Sequence, residues 1–283
     1  MRLSQRQWND LKVVDGHWRY WPTGTPHPVG PSFPSMLDAL AWPELPRLRA
    51  GYREEHDPIP PVRQTRTGAP GEICLADIPV IVYTVDPPDN RKAIYESRRR
   101  RLGRVLRTYG YQSISWQFGS ATIPYCARHC ADHAANLVRM DAPLIELEDD
   151  AEPLYPVTHI TPPAGADMVM IGCDRNGLDL ARRLGHKVRK DWRRHKGFLW
   201  RFAKPGWFWT CGNLSYHGIL YLSKPMMLDL AQYIVKRTGA IDASVAERHA
   251  FWSVCAPTRG LWYQNDGHNG PCTRDYCPKA LRS

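Results

Sequence analysis

IPVIVYTV, residues 78–85, is an unbroken run of β-branched, aliphatic and aromatic residues closed by the turn signal Asp86-Pro87-Pro88-Asp89. Such a run bounded by Pro and Asp predicts a buried strand. Residues 91–109 then read as a strongly basic helix whose apolar side is Ile94, Leu102, Val105, Leu106 and Tyr109. Ser113–Phe118 is a second candidate strand. Cys126, Cys130, Ala134, Leu137 and Val138 recur at helical spacing through residue 140. APLIEL (142–147), DMVMIGC (167–173) and GILYLS (218–223) are further strands, and residues 225–237 a further helix. Strands interleaved with helices predict an α/β sandwich around a mainly parallel sheet.

The composition sets the frame for that core. A chain of 283 residues with 43% hydrophobic residues buries a substantial interior and is not a disordered polymer. Eleven Trp and thirteen Tyr are mostly core fillers on this reading. The net charge of +10, from 38 Lys and Arg against 28 Asp and Glu, favours an anionic substrate or polyanionic partner. No apolar run is long enough for a signal peptide or a membrane span. Eight cysteines at irregular spacing fit a reducing compartment, so the expectation is a soluble cytoplasmic protein. Eleven prolines from Pro22 to Pro70 limit regular structure there to short pieces, with one short helix expected near Ser35–Leu40.

Glu146, Glu148, Asp149, Asp150 and Glu152 put five acids within seven residues, directly after the apolar strand Leu144–Leu147. Ligands of open α/β sheets bind beyond the carboxyl ends of strands. Crowded carboxylates repel unless a proton or cation compensates them, and hard divalent ions take oxygen donors and bridge to phosphates. The alternative is a solvated acidic turn.

The segment CARHCADHAANLVRMDAPLIELEDDAEP (126–153) resembles the core of the lipooligosaccharide and procollagen galactosyltransferase family. There, a helix carrying Cys and His runs into an apolar strand ending in Glu-Asp-Asp. IPVIVYTV with the Arg-rich helix ESRRRRLGRVLRTYGY (96–111) resembles that family's first strand and donor-binding turn. GILYLSKPMMLDLAQYI (218–234) resembles its later strand and helix, and WYQNDGHNGP (262–271) a late glutamine-containing loop. The likeness runs over about residues 78–270; Glu146 departs from it, standing where the family has an apolar residue.

The resemblance implies a GT-A-like fold, a UDP-sugar donor (UDP-glucose or UDP-galactose) and Mn²⁺ or Mg²⁺. The Pro-rich residues 1–72 read as an arm packed on the core, and the resemblance makes 73–283 a glycosyltransferase domain. Within the latter, 73–153 is the nucleotide-sugar half and 154–283 the acceptor half. Thr84, Val85, Asp86, Arg91, Arg98, Glu148 and Asp149 would hold the donor. Asp150 and Glu148 would hold the metal, with His268 or Asp266 completing the set. An inverting displacement needs a carboxylate to take the acceptor's proton; Asp242 is the candidate, with an ordinary helix N-cap as its other use.

Two features lie outside that scheme. Cys126, His129, Cys130 and His133 share one helical face, a residue mix that suits zinc, with Cys272 and Cys277 as further partners, although buried free cysteines are commonly small core residues. Residues 91–107 and 182–204 carry 18 of the 38 basic residues and only 2 of the 28 acids. The second stretch is interleaved with aromatics, a mixture that suits phosphates and stacked bases. Arg193, Arg194, Lys196, Trp200, Trp207 and Trp209 are the candidate acceptor contacts, and DNA carrying a hydroxymethylated pyrimidine, as in bacteriophages, the candidate acceptor. Transfer to lipooligosaccharide or protein, and a non-catalytic zinc-containing nucleic-acid-binding protein, are the alternatives.

Overall fold

The computed structural model describes residues 11–14, 17–20, 29–33, 59, 71–86, 89–120, 125–153, 157–172, 200–212, 217–237, 241–258 and 260–264. Near the N-terminus, β1 (Leu11–Val14), β2 (His17–Tyr20) and β3 (Val29–Phe33) form a three-stranded antiparallel sheet. Pro31 falls in β3, an outer strand, the place in a sheet where proline is tolerated. The helix expected near Ser35–Leu40 lies outside the described residues.

The main body alternates strands and helices. β4 (Ile73–Cys74) leads into β5 (Val80–Asp86), α1 (Asp89–Thr108), β6 (Ile114–Ser120), α2 (Tyr125–Arg139) and β7 (Leu144–Glu148). Then come β8 (Ala151–Pro153), β9 (His159–Ile160), β10 (Met168–Val169), β11 (Trp200–Lys204), β12 (Trp207–Thr210) and β13 (Gly218–Tyr221). The helices α3 (Lys224–Ile234) and α4 (Ile241–Arg248) follow, and β14 (Val254–Pro257) and β15 (Trp262–Gln264) end the described chain. The elements expected from sequence over 78–147 and 167–237 are therefore present, with β11 and β12 added between them.

Eight strands form the central sheet in the order β11-β12-β14-β10-β13-β7-β5-β6, flanked by the four helices. The sheet is mixed and only partly parallel. β6, β5 and β7 run side by side in one direction, as do β10 and β14, but β13 is antiparallel to both neighbours and β12 reverses beside β14. The expectation of a mainly parallel sheet is corrected to that extent: crossover helices join β5 to β6 and β6 to β7, whereas the β11–β12 hairpin turns tightly at Gly206, whose φ of 81° favours glycine.

Two hydrophobic layers sandwich the sheet. α1 contributes Leu102, Val105, Leu106 and Tyr109 against Val80, Val82, Ile145 and Leu147. On the opposite face, Leu137 of α2, Met227 and Leu230 of α3 and Val245 of α4 pack on Ile81, Leu144, Ile219 and Tyr221. The alternation along β5 and β7 thus assigns odd and even positions to different layers. α3 starts on Ser223, whose hydroxyl accepts the N–H of Met226, and its Lys224 Nζ donates to the carbonyls of Leu137, Val138 and Met140, capping the end of α2. Among the described residues no helix is long and apolar enough to cross a membrane.

Candidate functional site

β5 and β7 are parallel neighbours with Tyr83 beside Glu148, so the acidic run emerges next to the end of β5. The chain turns at once: the N–H of Asp149 donates to the Tyr83 carbonyl (2.9 Å), and the Thr84 hydroxyl donates to Asp149 Oδ2. Thr84 continues the face of Val80 and Val82, which looks toward α1, and there it meets that helix's arginines. Arg99 Nη1 donates to Thr84 Oγ1 (3.3 Å), and Arg98 Nη1 stands 3.7 Å from Asp150 Oδ2. Burial pushes the Asp149 carboxyl up to about 6, with Asp150 adding to the rise, while Arg98, the Thr84 hydroxyl and Arg99 pull against it. Asp150 Oδ1 is buried and has no hydrogen-bond partner among the described residues.

A salt bridge sealed in the interior holds this turn against the helix. Arg101, one turn beyond Arg98, donates from Nε and Nη2 to the two Glu152 oxygens at 2.9 and 2.7 Å, with both side chains 1% exposed. Glu152 lies on β8, which pairs with β15 so that Gln264 stands opposite Ala151, the residue after Asp150. The late glutamine-containing stretch is thereby brought alongside the acidic turn.

The other face of the same strands carries a second polar cluster. Glu146, 2% exposed, accepts hydrogen bonds from Tyr83 Oη (2.7 Å) and Tyr221 Oη (2.9 Å) and lies 3.1 Å from His133 Nδ1. Asn136 Nδ2 donates to Tyr83 Oη (2.9 Å), and the Tyr83 ring stacks on that of His133. Although burial opposes its charge most strongly, the His133 charge and these hydrogen bonds hold the Glu146 carboxyl below its usual range. Glu146 accordingly belongs to the face of Leu144, away from Asp149, which explains an acid inside an apolar strand.

The residues named from sequence fall into three groups. Thr84, Arg98, Asp149 and Asp150 converge, and Glu148 joins them at the end of β7, half-buried, its N–H donating to the His217 carbonyl (3.3 Å). The backbones of Val85 and Asp86 finish β5 at the same edge, paired with Gly119 and Ser120, and Arg91 opens α1; their side chains lie outside the description. Asp242 occupies the first turn of α4, which packs on α2 and α3, and its Oδ1 accepts the N–H of Ala243 (2.7 Å), a helix-terminus use of the carboxylate.

The acceptor contacts fare differently. Trp207 is 9% exposed and packs in the layer of Val82 and Leu147, and the half-buried Trp209 lies against the same layer. On β12 they alternate with Phe208, which fills the opposite layer. Trp200 pairs with Thr210 through its backbone, while Arg193, Arg194, Lys196, Asp266 and His268 lie outside the described residues. Sequence reading missed Arg99, Arg101 and Glu152 as interacting groups, and His217, which is buried with Nε2 3.2 Å from the Trp262 carbonyl oxygen. The eight basic residues of α1 gave no sign of which arginines turn inward.

Among the described residues, no three His, Cys, Asp or Glu side chains form a ready metal cage. A single hard oxygen donor without a partner, Asp150 Oδ1, nevertheless fits Mg²⁺ or Mn²⁺, ions that complete their shells with phosphate oxygens and water. Comparison with known proteins finds no match among family models, curated proteins or solved structures.

Proposed function

We propose that the protein is a metal-dependent glycosyltransferase that moves a hexose from a UDP-sugar to an acceptor hydroxyl. The observation that carries the reading is the meeting of Thr84, Asp149 and Asp150 with Arg98 and Arg99 at the carboxyl edge of β5 and β7, with one Asp150 oxygen that has no partner among the described residues. A nucleoside diphosphate suits this mixture. Arg98 and Arg99 offer guanidinium groups to the phosphates. Asp150, with Glu148 beside it, would hold a divalent cation that neutralises charge on the departing diphosphate.

In the transfer, the acceptor oxygen forms a bond to the anomeric carbon as the bond from that carbon to the diphosphate breaks. The electron pair leaves with UDP, and the acceptor's proton passes to a carboxylate, for which Asp242 is the candidate. The proposed acceptor is a hydroxymethylated pyrimidine in DNA. It is supported by the net charge of +10 and by the basic, aromatic stretch 182–204, in which Arg193, Arg194, Lys196 and Trp200 remain the candidate contacts.

Thermal-shift titration with UDP-glucose, UDP-galactose and UDP-N-acetylglucosamine, with and without Mn²⁺, tests the donor half. Saturation at about a hundredfold over Kd adds about 2.7 kcal/mol of stability. The expected result is a metal-dependent shift with one donor that disappears in Asp150→Ala; no shift with any of them refutes the reading. Label transfer from that donor to hydroxymethylated DNA, and none to unmodified DNA, tests the acceptor half.

A further inference from the structure

We infer that Phe118 is the platform on which the nucleobase of the donor stacks, an inference that rests on the nucleoside-diphosphate reading of the acidic turn. β6 ends the central sheet next to β5, in a parallel register that sets Phe118 beside Thr84. Residues paired in this way share a face, and neighbouring strands lie about 4.8 Å apart. The Phe118 side chain therefore stands on the α1 side, next to Thr84 at the carboxyl edge. Trp116, two residues earlier on the same face, packs against the α1-side layer, whereas Phe118 is 54% exposed.

A single exposed ring is ordinary on a protein surface; what it stands beside decides its use. Arg99 joins this ring to the acidic turn. Its guanidinium lies over the Phe118 ring, 5.5 Å from the centroid, while its Nη1 donates to Thr84 Oγ1, the hydroxyl that holds Asp149. One arginine thus touches both the ring and the group proposed to meet the diphosphate. Phe251, 49% exposed beneath Arg248, makes the contrast: it follows α4, a helix of the opposite layer, and its arginine is bound to both oxygens of Asp229.

A nucleoside diphosphate carries its charge at one end and a flat aromatic base at the other, with a ribose between. Phosphates held at Arg98 and Arg99 leave the nucleoside to extend along the edge from β5 toward β6. Among the described residues no strand lies beyond β6, so the ring is reached from the open side of the sheet. Stacking tolerates any base, because every base has a π-face. Phe118 therefore supplies affinity for the nucleoside and does not itself select uracil.

The full-length protein with Mn²⁺ is titrated by calorimetry with UDP and with pyrophosphate, which carries no base. Phe118→Ala is expected to weaken UDP by about fivefold to 150-fold, the range for one stacked aromatic, and to leave pyrophosphate unchanged. Phe118→Trp keeps a flat ring and wild-type UDP affinity, whereas Phe118→Leu, apolar but not flat, loses it. Circular dichroism confirms that each variant is folded, and the Trp and Leu variants decide the matter if Phe118→Ala is not. Unchanged UDP affinity in folded Phe118→Ala or Phe118→Leu, or UDP and pyrophosphate weakened alike, overturns the proposal and leaves the ring as a surface partner of Arg99. In those cases the wild type still binds UDP and the donor reading stands. A wild type that binds neither probe sinks both.

Discussion

Replacing Glu152 by Gln leaves the shape of the interior unchanged but removes the charge opposite Arg101. Both side chains are 1% exposed, and the guanidinium makes two hydrogen bonds to the carboxylate at 2.9 and 2.7 Å. Breaking a buried pair by removing one partner costs about 3–5 kcal/mol, because the remaining charge stays desolvated. Folding stability of a domain is only about 5–15 kcal/mol, so the single variant loses a large share of it. The corresponding fall in Tm is roughly 6–20 °C at the scaling for large domains.

The double variant Arg101→Met/Glu152→Leu removes both charges and fills the space with apolar atoms. Its stability returns to within about 1 kcal/mol of wild type or exceeds it. Urea denaturation followed by tryptophan fluorescence measures all of these proteins. The pair also ties β8, two residues past Asp150, to α1 one turn past Arg98. Glu152→Gln therefore also loosens Asp150 against Arg98, and donor affinity falls with stability. A loss below about 1 kcal/mol in the single variant, well under the range for a sealed pair, refutes the reasoning. So does a double variant as unstable as the single one.

Asp149 and Trp207 give two further tests. Burial raises the Asp149 carboxyl to about 6, so between roughly pH 4 and 6 the folded state binds more protons than the unfolded one. Stability therefore falls as pH rises through that window, by up to about 3 kcal/mol, and Asp149→Asn removes that slope. Denaturation midpoints across pH in chelator that keep the wild-type slope in the variant contradict the assignment. Trp207→Ala opens a cavity in the α1-side layer and costs about 3–5 kcal/mol; a fully stable variant with weakened DNA binding restores Trp207 as an acceptor contact.

Much of the architecture was legible because periodicity and punctuation are local. IPVIVYTV, the apolar side of residues 91–109 and the strand before Glu148 each declare their element without knowledge of their neighbours. Chain order then places the acidic run at the carboxyl end of a strand, where α/β sheets bind ligands. What the chain could not declare was pairing. The reversed β13 between β7 and β10, and the β11–β12 hairpin, turn a mainly parallel expectation into a mixed sheet, because strand direction depends on which partners meet across long sequence separations.

The site divides in the same way. The sequence by itself determined that Thr84 and the acids 148–150 each stand at the end of a strand, because strand boundaries are written in short-range chemistry. Only the tertiary structure decided which groups face one another. Glu146 and Asp149 are three residues apart, yet the pleat and the turn send them to opposite faces of the sheet, one to His133 and the other to Thr84. Likewise, Arg98–Arg101 are four equivalent letters in sequence, but the helix turns Arg101 into the interior because Glu152, brought back by the turn after β7, waits there to neutralise it. Charge and apolarity are properties of a residue; burial and partnership are properties of the packed chain.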